Sequence, residues 1–99
     1  MPTAFSIPEH MTFAVARGLV AGAARPGEVL VVNATGADDI DPAVVGELAR
    51  ALAACGAESI IIVNAAPAVE EGLRRGRERA EASVPMSFRS VAADRLLRN

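Results

Sequence analysis

The chain has 99 residues, a formal net charge of −2 and a 52% hydrophobic composition, and all ten of its basic residues are Arg. That length leaves room for one small α/β domain, residues 1–99, and none for separate cofactor and substrate domains. The slight acidity, the absence of Lys and the presence of only three aromatics (Phe5, Phe13 and Phe88) exclude the basic footprint and stacking platform of a nucleic-acid binder. One cysteine, Cys55, and one histidine, His10, exclude an internal disulfide and a cysteine-rich or multi-His metal site. No apolar run approaches the ~18 residues of a membrane span. The first residues do not read as a signal peptide, so the expected setting is cytoplasmic, with no membrane insertion.

The first element expected is a helix. Ser6-Ile7-Pro8-Glu9 has the form of a capping box and predicts a helix over residues 8–24, with Met11, Val15 and Leu19 on one face. Arg25-Pro26-Gly27 breaks it. Val29-Leu30-Val31-Val32 and Ile60-Ile61-Ile62-Val63 are continuous runs rich in β-branched residues. Such runs read as strands buried on both faces, inside a parallel sheet. Each is followed by the same pair, Asn33-Ala34 and Asn64-Ala65.

Between these strands Val45, Leu48, Leu52 and Cys55 form one apolar stripe at helical spacing. Asp41-Pro42 supplies a cap and a first-turn proline, and Gly56 a stop. The strand, helix and strand make a βαβ unit. Pro67 opens a third helix whose pairs Glu70–Arg74, Glu71–Arg75 and Arg77–Glu81 mark a solvent face. Gly72 and Gly76 count against its stability. Val84, Met86 and Phe88 alternate with Pro85, Ser87 and Arg89, which predicts a short edge strand. Ser90 then caps a last helix over 91–98. The expected fold is α/β, a small mostly parallel (mixed) sheet with alternating helices.

In an open parallel sheet, ligands bind beyond the carboxyl ends of the strands, here residues 33–42 and 64–67. Asp38, Asp39 and Asp41 place three acids within four positions, enough carboxylate to suggest a divalent cation, but the spacing is not that of an EF-hand. A solvated loop with Asp41 as helix cap accounts for them, and no metal is assigned. No glycine-rich phosphate motif follows either strand, so no cofactor is expected. Cys55 falls on a core stripe and His10 in the first turn of a helix, far from any partner base. No catalytic residue is assigned, and the residues give no argument for an enzyme.

From Glu28 to Leu97 the order of elements resembles that of the sulfate transporter and anti-sigma factor antagonist (STAS) domain. The resemblance rests on the strand Val29–Val32, the turn Ile40-Asp41-Pro42-Ala43-Val44, the helix to Cys55, the strand Ile60–Val63 and the exit Asn64-Ala65-Ala66-Pro67-Ala68-Val69. It implies a non-enzymatic regulatory domain that binds other proteins. Its partner would be an anti-sigma-factor-like kinase, a transporter complex or a second copy of the chain. Two departures matter. The family's opening hairpin is missing, with only residues 3–7 available as a strand, which leaves a sheet edge unprotected. The serine that carries the family's phosphorylation switch is also missing, because Pro42 and Ala43 occupy that turn. The expected partner surface is Thr35, Asp38, Asp39, Asp41, Ala43 and Val44. The competing expectation is a small enzyme or ligand-binding domain using Asn33 and Asn64. Charge is divided along the chain: residues 1–66 carry 3 Arg against 7 acids, and residues 67–99 carry 7 Arg against 5, an asymmetry suited to a charged partner or head-to-tail self-contact.

Overall fold

The computed structural model describes residues 3–8, 10–37, 40–81 and 84–90. Strands β1 (Thr3–Ser6), β2 (Val29–Asn33), β3 (Ser59–Val63) and β4 (Met86–Arg89) alternate with helices α1 (Phe13–Ala23), α2 (Pro42–Ala54) and α3 (Pro67–Arg79). The strands lie side by side in chain order and every pairing is parallel, so the described sheet is not mixed. The expected helix over 91–98 lies outside the described residues.

Because each strand–helix–strand step moves the same way across the sheet, right-handed crossovers set all three helices on one face. α2 accordingly packs against both α1 and α3. The face beneath them carries Leu30, Val32, Ile60 and Ile62, all fully buried with Ala16, Val20, Leu48, Leu52, Val69 and Leu73. Each such Leu or Ile contributes about 1.5–3 kcal/mol of apolar burial. On the opposite face Val29, Val31 and Ile61 are only half-buried, and Val63 is covered to 6% exposure. Burial on both faces, as the β-branched runs suggest, therefore holds in full for one face and, on the second, at Val63.

Helix α1 corrects two expectations. It starts at Phe13, capped by Thr12, whose side chain accepts the Val15 N–H at 3.2 Å. Ser6 cannot cap it, because Ser6 is drawn into β1 and paired in register with Asn33. The buried face is Ala16 and Val20, whereas Val15 is 38% exposed, one step round the helix from that stripe. Helix α2 matches its sequence signals: Asp41 Oδ1 accepts the Ala43 N–H at 2.8 Å, Pro42 stands in the first turn, and Gly56 turns the chain away with φ 78°.

In α3 the pairs Glu70–Arg74 (3.7 Å) and Glu71–Arg75 (2.7 Å) form. The pair Arg77–Glu81 does not, because the helix ends at Arg79 and Glu81 turns left-handed (φ 52°). Arg77 Nε instead donates to the Val84 carbonyl at 2.9 Å. Gly72 and Gly76 are where α3 meets α2. A Cβ on Gly72 would lie 2.7 Å from Val45 Cγ1, and one on Gly76 would collide with Ala49 Cβ. In β4, Met86 and Phe88 turn toward the helices and Ser87 and Arg89 away. The Arg74 guanidinium lies 4.5 Å over the Phe88 ring.

Candidate functional site

At the carboxyl end of the sheet, Asn33 closes β2 in register with Val63 of β3. Asn64 therefore follows one residue beyond, beside Asn33. The left-handed backbone of Asn64 (φ 58°) suits a residue type that tolerates that region. Asn33 Oδ1 accepts both the Thr35 N–H at 3.0 Å and the Thr35 hydroxyl at 2.6 Å. Asn64 Nδ2 donates to Thr35 Oγ1 at 3.0 Å. One threonine hydroxyl thus ties the ends of two neighbouring strands together. Backbone bonds continue across the same edge, from Ile7 N–H to Asn33 O, Ala34 N–H to Val63 O and Asn64 N–H to Arg89 O.

The loop above this edge is held at each described end. Ala37 N–H donates to Ala34 O at 3.0 Å, closing a tight turn over Thr35 and Gly36. Gly36 at φ 79° supplies the left-handed third position that a type II turn requires. Ala34 and Ala37 on either side are buried, at 1% and 2% exposure, so the turn sits on the core. At the far end Asp41 caps α2. Thr35, Gly36, Asp41, Pro42 and Ala43 are left exposed on a backbone that is already fixed.

Of the expected partner surface, Thr35, Asp41 and Ala43 are therefore exposed at the same strand-end edge. Val44 is not available: it is 6% exposed and belongs to the core, because it points under α2 while Ala43 points out. Asp38 and Asp39 lie outside the described residues, and with them two of the three acids of the suggested cation site. Asp41 uses its carboxylate on the Ala43 amide. Asn33 and Asn64 are brought together, but through Thr35, as a brace for the loop. The role of Thr35 as their shared partner was not visible in its own sequence neighbourhood. The signal lay in the repeated Asn-Ala after each strand, since adjacent parallel strands of equal length place such repeats side by side.

His10 is exposed in the bend ahead of α1, three residues before its first helical residue, and not in the helix. Cys55 ends α2 half-buried, with Sγ donating to Leu52 O at 3.1 Å. It borders a groove of about 470 Å3 between α1 and α2, floored by Val20, Ala21, Ala24 and Ala51. His10 follows β1 and Cys55 precedes β3, so they stand at opposite ends of the sheet and form no nucleophile–base pair. No helix among the described residues is long and apolar enough to cross a membrane. Comparison with protein-family models, with curated proteins and with solved structures yields no match to this chain.

Proposed function

We propose that this chain is a non-enzymatic interaction domain that binds a regulatory protein through the β2–α2 loop and the first turn of α2. The observation that carries this reading is the bracing of the loop. Asn33 and Asn64 direct their side chains at Thr35, and Asp41 directs its own at the Ala43 amide, which fixes the exposed Thr35–Gly36 and Pro42–Ala43 segments before any partner arrives. A surface ordered in advance loses less entropy on association, which is where much of the cost of binding lies. Using polar side chains as braces also removes them from ligand recognition, so the same bonds weigh against the competing reading of Asn33 and Asn64 as ligand contacts.

The order of elements from β2 to β4, with Pro42 at the start of α2 and Pro67 at the start of α3, supports a STAS-like regulatory domain. In that reading the partner is an anti-sigma-factor-like kinase or a transporter complex. The α2 start offers no hydroxyl, so the family's phosphorylation switch does not operate at that turn. Ala43→Arg tests the proposal, since Ala43 is exposed and its substitution leaves the Asp41 cap in place. Affinity capture from extracts of the source cells, quantified against wild type, is expected to lose its partner by about tenfold or more, as a charge placed in a desolvated contact does. Capture unchanged by Ala43→Arg overturns the assignment of the surface.

A further inference from the structure

The two glycines of α3 have a packing reason, since an added Cβ on Gly72 or Gly76 would meet Val45 or Ala49. Gly46, inside α2, has no such reason. A Cβ built there has nothing within 4 Å, although glycine in a helix interior costs stability relative to Ala. The space it leaves open is one wall of a cavity of about 250 Å3 between α2 and α3. Gly76 and Ala80 form the facing wall, and Arg50 and Arg79 complete the lining. Arg50, Arg79 and Ala80 are exposed, so the cavity opens to solvent, while Leu48, Leu52 and Leu73 fill the core beneath the same two helices.

The charge of this cavity is one-sided. Among the described residues, two guanidiniums line it and no carboxylate does. The acid paired with Arg50 is Glu47, which lies 3.9 Å from Arg50 and 3.7 Å from Arg17, so one carboxylate is divided between two cations. Arg79 forms no ion pair or hydrogen bond with any described residue. Glu78, its neighbour in the chain, lines a different cavity with Met86 and Phe88. A cation in the last turn of a helix is favoured by the carbonyl ends. That accounts for Arg79 alone, and for neither Arg50 nor Gly46.

We propose that this cavity binds the phosphate group of a small phosphorylated molecule, with Arg50 and Arg79 as its charged contacts and Gly46 as the residue whose missing side chain makes the room. Guanidinium N–H groups match phosphate oxygens in geometry and charge, and two of them match a dianion. Gly46 and Gly76 present bare backbone, over which the oxygens approach without meeting a side chain. The volume lies below the roughly 300–1,000 Å3 of pockets for drug-sized ligands, so the group that carries the phosphate is small. The Arg50 side chain is 79% exposed, and two solvated charge-assisted contacts give affinity in the range of about 0.1–5 mM. The site uses neither Thr35 nor Ala43, so it stands or falls separately from the proposed loop surface.

Titration of the full chain with inorganic phosphate and with glycerol phosphate at matched ionic strength, followed by NMR of the backbone amides, tests this. The expected result is a saturable shift of the Gly46, Gly76 and Ala80 amides. Arg50→Gln and Arg79→Gln should each weaken binding by about tenfold or more. Arg75→Gln removes the same charge from an exposed pair outside the cavity and should change affinity by less than about twofold. Gly46→Ala is the decisive variant. It should raise Tm by roughly 2–8 °C in the absence of phosphate and weaken phosphate binding by about fivefold or more, because its methyl group occupies the cavity. Tighter binding of glycerol phosphate than of phosphate assigns the site to a phosphomonoester, and equal binding assigns it to free phosphate. Shifts that never saturate overturn the proposal. So does binding indifferent to Gly46→Ala, or weakened as much by Arg75→Gln as by Arg79→Gln, since either makes the effect one of general surface charge.

Discussion

The contact between α2 and α3 makes a prediction in which one substitution has opposite signs at two positions. Gly→Ala in an exposed helix interior stabilises by about 0.5–1 kcal/mol, because Ala has the higher helix propensity and the unfolded chain loses freedom. Gly18, in α1, has nothing within 4 Å of an added Cβ and should show that gain. Gly76, in α3, faces Ala49 of α2, which is fully buried, and an added Cβ would collide with Ala49 Cβ, with Ala49 Cα at 3.8 Å behind it. Neither atom is the end of a flexible side chain, so the two helices must move apart along their shared length. Overpacking of this kind costs about 1–3 kcal/mol, which outweighs the propensity gain. The two variants should differ by the overpacking cost, about 1–3 kcal/mol in urea unfolding, Gly18→Ala above wild type and Gly76→Ala below it. For a domain of this size each kcal/mol moves Tm by about 4–8 °C, so the thermal midpoints should separate clearly. Gly76→Ala as stable as Gly18→Ala would refute the claim that these glycines set the approach of the helices.

Five further substitutions probe the braced loop, the α2 cap and the β4 edge. Thr35→Val deletes the hydroxyl shared by Asn33 and Asn64; it should cost about 1–2 kcal/mol and raise hydrogen exchange at Thr35 and Ala37 while exchange in β3 stays unchanged. Asp41→Ala removes the α2 cap and should lower stability by about 0.5–2 kcal/mol, whereas Asp41→Asn, which keeps the accepting oxygen, should restore most of it. Arg74→Ala should cost about 0.5–1 kcal/mol through loss of its contact over Phe88, measured by chemical unfolding, and in a Phe88→Leu background its effect should shrink to what the exposed Glu70 pair contributes.

Much of this fold was legible because its signals are local. The two β-branched runs became β2 and β3, the Asp41-Pro42 start and Gly56 stop bounded α2, and the alternation around Met86 and Phe88 gave the edge strand β4. What was missed depends on contacts distant in sequence. β1 has one bulky residue, Phe5, and its strand conformation comes from pairing with β2, about 27 residues later. That pairing consumes Ser6, so the capping-box pattern at residues 6–9 loses its first member and α1 begins at Phe13, capped by Thr12. The continuous apolar runs say that a strand is well buried but not by which layer, so the side on which the three helices pack emerged only from the strand order. Gly72 and Gly76 read as weak points in a helix until the neighbouring helix was in place. At the candidate site, the helix cap was readable from Asp41 and Pro42 alone. The Asn33–Thr35–Asn64 brace was not, since Thr35 and Asn64 are 29 positions apart and meet only when β2 and β3 pair. Val44 was misassigned for a similar reason: one step along a helix separates the exposed Ala43 from the core.

The central claim is that the first turn of α2, presented by the braced loop, is the surface that meets a regulatory protein. Site-specific photocrosslinking tests it most directly, with a photoreactive side chain at position 43 and, as control, at position 50, which is also exposed on α2 but two turns further along. Crosslinking in the source cells is expected to trap one protein in high yield from position 43 and not from position 50, with the yield falling when Thr35→Val loosens the loop. Equal yields from the two positions, or none from position 43 while the chain is folded and present, would contradict the account.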